Sequence, residues 1–208
     1  MARAKLLGTH AIPSSNVAFA AALALALLAP LATPMRTALA APSEPTGFWT
    51  GEINSPVPST LRGGKIIHAA QLSKLLEAGD VVVIDVSSAP RRPDNLAPEA
   101  PWLPTVHQGI PGAMWLPGFG LGVLPDSVDA FFRARLEAAT DNSISRPLVI
   151  YCHKRCWLSW NAAKRAISYG YLNVSWFPEG IEGWQTAGLS TIDLKPQPTP
   201  LETASSAP

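Results

Sequence analysis

Pro147-Leu-Val-Ile-Tyr-Cys-His-Lys-Arg-Cys-Trp-Leu-Ser-Trp-Asn-Ala-Ala-Lys-Arg-Ala166 is the stretch on which the fold turns. The apolar, β-branched run behind Pro147 has the composition of a short buried strand. From Ser159 onward, Ala162, Ala163 and Ala166 fall on one side of a helix. Between strand and helix lies a short loop holding Cys152 and Cys156, the two cysteines of the chain. Working outward, Val81–Val86 is a continuous apolar run of the kind buried on both faces of a parallel sheet. Val174–Phe177 is another strand, Ile110–Leu116 a turn followed by a short strand, and Lys65–Ile67 a further short strand. Ala69–Ala78 has helical spacing and is stopped by Gly79. Asp126–Ala139 carries Val128, Phe131, Phe132, Leu136 and Ala139 on its apolar face, with Asp126 favourable at the positive end of the dipole. Gly180–Ala187 is a last short helix with Trp184 turned to the core. The alternation predicts a single α/β domain, an open and mainly parallel sheet flanked by helices. Ligands of such sheets sit at the carboxyl ends of strands, where the Cys152 loop falls.

The flanks read differently. Arg3 and Lys5 precede the Ala/Leu-rich run Val17–Ala32, and Ala38-Leu-Ala40 offers small residues for a signal peptidase, which predicts a secretory signal over 1–40 cleaved after Ala40. The apolar run, at about sixteen residues, is shorter than the roughly twenty of a membrane-spanning helix, so no membrane association is expected after cleavage. Loss of Arg3, Lys5 and Arg36 leaves 13 of the 16 basic residues against 15 acidic ones, a net charge of −2 that argues against nucleic acid or anionic lipid as partner. The 21 prolines cluster, marking an arm over 41–64, an insertion over 89–108 within a domain over 65–192, and a flexible tail over 193–208. The arm either packs its aromatics onto the domain or is a flexible leader. Arg91 and Arg92 in the insertion either attract an anion or are simply solvated.

In an oxidising compartment two cysteines commonly become a disulfide. Positions four apart close too small a loop to restrain the unfolded chain much, so a purely stabilising staple is a weak reading. A bond forced into so short a segment is strained and easily reduced, as suits a working dithiol. Loop amides turned to the centre, the helix dipole, and the neighbours His153, Lys154 and Arg155 together predict a lowered pKa for Cys152. A metal site needs more ligands than Cys152, Cys156 and His153 supply, so none is expected. The spacing matches neither covalent haem attachment nor the thioredoxin pattern. Trp157 either packs in the core, covers the sulfur, or presents an aromatic face to a partner. Asp85 and His107 are auxiliary candidates: Asp85 orients loop residues or makes a buried hydrogen bond, and His107 caps a turn or acts beside the loop.

Asp85-Val86, His107-Gln-Gly-Ile-Pro-Gly-Ala113, Tyr151-Cys152, Gly170-Tyr171 with Val174, and Gly180-x-x-x-Trp184-x-x-Ala187-Gly188 together resemble a rhodanese-like domain from about Ile66 to Leu189. The resemblance implies sulfur transfer in which the cysteine aligned with Cys152 becomes a persulfide, with no other cofactor required. Its partners would be a small sulfur species and a thiol acceptor. Cys-x-x-x-Cys-Trp followed by Ser159-Trp-Asn-Ala-Ala-Lys-Arg165 is similar to the exported PQQ-dependent catabolism-associated CXXCW motif proteins. That likeness implies a periplasmic location and a thiol redox or sulfur-carrier role beside a quinoprotein dehydrogenase system. It also admits a non-enzymatic accessory that binds a redox cofactor or a quinoprotein partner. Common rhodaneses follow the cysteine with glycine and an arginine-serine pair; here Arg155 and Cys156 interrupt that loop, Trp157-Leu158 stand in its place, and the path to Ser159 is one residue longer. Related phosphatases clamp phosphate with an arginine where this chain has Leu158. The expected site is therefore Cys152 as the reactive sulfur and Cys156 as its resolving partner, with His153, Lys154, Arg155, Trp157 and Ser159 binding anions around the loop. Conventional thiosulfate sulfurtransfer is the remaining alternative.

Overall fold

Five strands, β1 (Lys65–Ile66), β2 (Val82–Asp85), β4 (Met114–Trp115), β5 (Leu148–Tyr151) and β6 (Val174–Phe177), pair in parallel in the order β1–β6–β5–β2–β4. This computed structural model describes residues 41–197; the expected signal over 1–40 and the end of the tail lie outside them. Every residue of β2, β5 and β6 is buried, which is why these strands are continuous apolar runs rather than alternating ones. Successive side chains point to opposite faces. Ile84, Leu148, Ile150 and Trp176 pack with α2 (Asp126–Ala139) and α3 (Trp157–Ser168), whereas Val83, Val149, Tyr151 and Phe177 pack with α1 (Ala69–Ala78) and α4 (Gly180–Thr186). Asp85, Tyr151 and Phe177 are in register, so the three central strands end at one level and open into the same edge. Among the described residues no helix is long and apolar enough to cross a membrane.

Beyond single-residue shifts at element ends, three boundaries differ from the sequence reading. α3 begins at Trp157 rather than Ser159, because Cys156 is the extended residue before the helix and the Trp157 amide is taken by the Ile53 carbonyl at 2.9 Å. β7 (Ile192–Leu194) pairs antiparallel with β3 (His107–Gly109), and Gln197 N donates to Trp115 O at 2.9 Å. Residues 193–197 are thus tied to the domain instead of opening a loose tail, and His107 and Gln108, at the end of the expected insertion, belong to a strand. Neither strand has a local pattern of its own, since each exists through a partner more than eighty positions away. Within the excursion the Arg92 guanidinium donates to the carbonyls of Leu96, Ala97, Pro98 and Ala100, so it organises its own loop rather than facing a substrate.

The arm lies along α3 and packs. Asn161 reads the backbone of Trp49 twice, accepting from its amide at 2.8 Å and donating to its carbonyl at 2.9 Å. Lys164 Nζ donates to the carbonyls of Pro45 and Thr46, Trp160 Nε1 to Thr60 O, and Arg165 lies over the Phe48 ring. A helix face bearing so many donors fits an extended segment whose own amides and carbonyls have no sheet partner.

Candidate functional site

β5 ends at Tyr151 and the chain turns through 152–156 before entering α3. Arg155 at the apex has φ 58, a left-handed conformation uncommon outside glycine, and it folds the chain back so that Cys156 returns toward Cys152. From the other side Gly180, with φ 59, brings α4 against the loop: a Cβ there would stand 2.3 Å from the Cys152 carbonyl, which accepts Ile181 N at 3.0 Å. Both thiols are free and buried, with 0% exposure at Cys152 and 3% at Cys156.

The two sulfurs have opposite surroundings. Cys152 Sγ faces inward, 3.0 Å from Ser159 Oγ and 3.4 Å from the Cys156 carbonyl. Burial pushes its thiol well above the ordinary cysteine range. Cys156 is lowered to about 7, chiefly because the Cys152 thiol donates to it, and further because the amides of Leu158 and His153 face its sulfur. This corrects the sequence expectation of a lowered pKa at Cys152. The amides of His153 and Leu158 favour a thiolate at the second sulfur, at the helix N-terminus, whereas at Cys152 burial outweighs the Ser159 amide and hydroxyl.

His153 and Lys154 were expected to bind an anion, and the structure gives them one of the protein's own. Glu182 Oε1 lies 2.8 Å from His153 Nδ1, and Glu182 Oε2 accepts Lys154 N at 2.8 Å. Burial opposes ionisation of Glu182, yet His153 and the Lys154 amide hold its carboxyl below the usual range. Glu182 was not foreseen; its only signal was its place inside the Gly180-x-x-x-Trp184 motif. The Lys154 and Arg155 residues are exposed at the mouth. Trp157 is 1% exposed, stacked on Trp49 at 4.3 Å and edge-on to Trp160 at 5.4 Å, with Nε1 donating to Ser55 Oγ. Of its open readings, core packing is the one the structure shows.

Asp85 and His107 meet each other rather than the sulfurs. Asp85, fully buried at the end of β2, accepts Ser87 N through Oδ1 and pairs with His107 Nε2 at 2.8 Å through Oδ2. His107 stacks on Trp115 at 3.9 Å, and its ring centre is 6.5 Å from that of His153. The pair therefore reaches the loop through His153. A cavity of about 380 Å³ opens beside Lys154, lined also by His68, Phe177, Glu179 and Glu182. Another of about 250 Å³ lies between the arm and α3, at Trp49, Ile53, Gly122, Trp157 and Asn161. Among the described residues no cluster of three or more His, Cys, Asp or Glu is placed to hold a metal ion.

The family model described as Rhodanese-like domain matches residues 68–187. Among solved structures, the chain is similar to a thiosulfate sulfurtransferase from Pseudomonas aeruginosa (20% identity, 65% of this chain and 21% of that chain, TM-score 0.45). It is similar also to a 3-mercaptopyruvate sulfotransferase from Escherichia coli (17%, 65% and 56%, 0.42). A third is the polysulfide-sulfur transferase homodimer from Wolinella succinogenes (19%, 64% and 82%, 0.40). The chain spans about a fifth of the Pseudomonas protein and about half of the Escherichia one. Among curated proteins none matches the sequence.

Proposed function

The chain belongs to the rhodanese-like domain family, and from that premise we propose that it handles sulfur or disulfides through Cys152 and Cys156 acting as a pair. One observation carries this: two free, buried sulfurs share a single strand-to-helix loop, with Cys152 Sγ held at Ser159 Oγ and the Cys156 carbonyl while the amides of Leu158 and His153 face Cys156. Rhodanese-like domains work through a cysteine persulfide rather than an external cofactor. The thiolate at Cys156 attacks the sulfane sulfur of a donor, the bond from that sulfur to the rest of the donor breaks, and the rest leaves with the electron pair. Cys152 then attacks the Cys156 sulfur of the persulfide. A Cys152–Cys156 disulfide forms and hydrosulfide departs with the electron pair and the Cys152 proton. An external thiol then attacks the disulfide to give a mixed disulfide, and a second such thiol releases it, so that both protein thiols are regenerated and the external thiols leave oxidised as their own disulfide. Glu182 on the Lys154 amide disfavours small anionic donors such as thiosulfate at that donor group.

A second reading places the persulfide on Cys152, which directly follows β5 as the family's sulfur-bearing cysteine does, and Cys156 then releases it. Intact mass distinguishes both readings from inert thiols. A persulfide loses about 32 Da on treatment with cyanide, and a disulfide gains about 2 Da on reduction. Peptide mapping assigns the sulfur to Cys152 or Cys156. Two thiols that stay free and alkylate slowly near neutral pH sink the proposal.

We propose further that the protein works in the periplasm beside a quinoprotein alcohol-oxidation system. The basic start, the Ala/Leu run, Ala38-Leu-Ala40 and the Cys-x-x-x-Cys-Trp motif support this. The expected outcome is a periplasmic protein beginning at Ala41, and a host lacking it that grows poorly on alcohols alone. A full-length cytoplasmic chain, or normal growth on alcohols, overturns the respective half.

A further inference from the structure

Trp176 sits on β6 with its indole fully buried on the α3 face of the sheet. Its Nε1–H donates to Ser159 Oγ at 2.9 Å, and the same oxygen stands 3.0 Å from Cys152 Sγ. All three residues have 0% exposure. A serine hydroxyl has one hydrogen and two acceptor sites, whereas an indole nitrogen only donates. Trp176 therefore takes one acceptor site of Ser159 whatever the state of the cysteine. The hydroxyl hydrogen has two destinations, the Cys156 carbonyl at 3.4 Å and the Cys152 sulfur at 3.0 Å. With Cys152 protonated, its one hydrogen goes to the Cys156 sulfur when that sulfur is ionised and otherwise to the second acceptor site of Ser159, and the hydroxyl hydrogen turns to the Cys156 carbonyl. With Cys152 ionised, the hydrogen turns to the sulfur. The oxygen stays where it is in both states.

We propose that Trp176 is a positioning residue for the dithiol: by pinning the Ser159 oxygen, it lets the hydroxyl hydrogen meet the Cys152 thiolate as that anion forms. This rests on the reading of Cys152 and Cys156 as a reactive pair. The need is real because Cys152 is fully shielded from solvent and its burial disfavours the charge. Hydrogen bonds to a charged group are the strong ones, and one that is held in place loses no freedom when the charge appears.

The test uses the full chain, reduced, and an aromatic disulfide whose released thiolate is coloured. Cys156 attacks the reagent's S–S bond and one aryl thiolate leaves with the electron pair. Cys152 then gives its proton to solvent base and attacks the Cys156 sulfur, forming the protein disulfide and expelling the second aryl thiolate. The pH profile of the second release reports the ionisation of Cys152. In Trp176→Phe the second release is expected to be about tenfold slower near neutral pH, with its midpoint moved up, while the first release is unchanged. Ser159→Ala gives a slowing at least as large, and adding Trp176→Phe to it gives none beyond. A Trp176→Phe profile that coincides with wild type overturns the proposal, as does an equal slowing in the Ser159→Ala background, which would mean packing alone. If Trp176→Phe fails to fold by circular dichroism, Ser159→Ala decides, and a wild-type profile there overturns the chain of donors. Absence of any second release in wild type overturns the dithiol reading itself, a result distinct from a release indifferent to Trp176.

Discussion

The two ends of the cysteine loop are fastened by different physics. The Cys152 end is held from α4 by polar contacts: Ile181 N on the Cys152 carbonyl, and Glu182 on His153 and the Lys154 amide, with the His153 and Glu182 side chains each 47% exposed. The Cys156 end is held from the arm by packing and backbone: a bridge to Asn54, the Trp157 amide on Ile53, and the Trp49–Trp157 stack. Half-exposed polar contacts to a carboxylate are screened by salt, whereas buried aromatic contacts are not. The α4 end is thus the adjustable one, and the arm end keeps the sulfurs covered.

This contrast can be broken most severely at Trp157. Trp157→Ala removes a buried indole and its stack and is expected to lower stability by about 3–5 kcal/mol, read as a shift in the urea midpoint. Asn161→Ala leaves the amide and carbonyl of Trp49 and the carbonyl of Gly120 without their partner, at a cost of about 2 kcal/mol. It should also speed alkylation of Cys156, since the arm loses its clamp; unchanged alkylation in a folded Asn161→Ala protein would show that the arm does not guard the thiol. Glu182→Ala should cost less than about 1 kcal/mol, because its partners are half exposed, and the cost should shrink further in high salt. A subtler check separates the sulfurs without mutation. Alkylation of Cys156 should rise with pH through a midpoint near 7, the value to which its thiol is lowered, and Cys152 should follow only at higher pH. Labelling of Cys152 first would reverse the assignment of roles.

Legibility in the sequence followed burial. β2, β5 and β6 were visible because strands covered on both faces are apolar at every position. α2 was visible from end to end because one face is buried and the other solvated, giving Val128, Phe132 and Leu136 their spacing. β3 and β7 were not, because two strands of only three residues, too short to show a period, owe their existence to each other. The cysteines, Ser159, Asp85 and His107 were singled out by type and position, and the structure gathers the cysteines with Ser159 and pairs Asp85 with His107. Glu182 and Trp176 were missed, since an exposed helical glutamate and a core tryptophan look ordinary until their partners are known.

By itself the sequence determined a parallel α/β scaffold and a two-cysteine loop at the carboxyl edge of its sheet, because local periodicity and composition encode which faces are buried. Only the tertiary structure decided what surrounds each sulfur. That outcome depends on amides, a hydroxyl, an indole and a carboxylate brought together from the loop, α3, β6 and α4, and hydrogen bonds between distant segments leave no period along the chain.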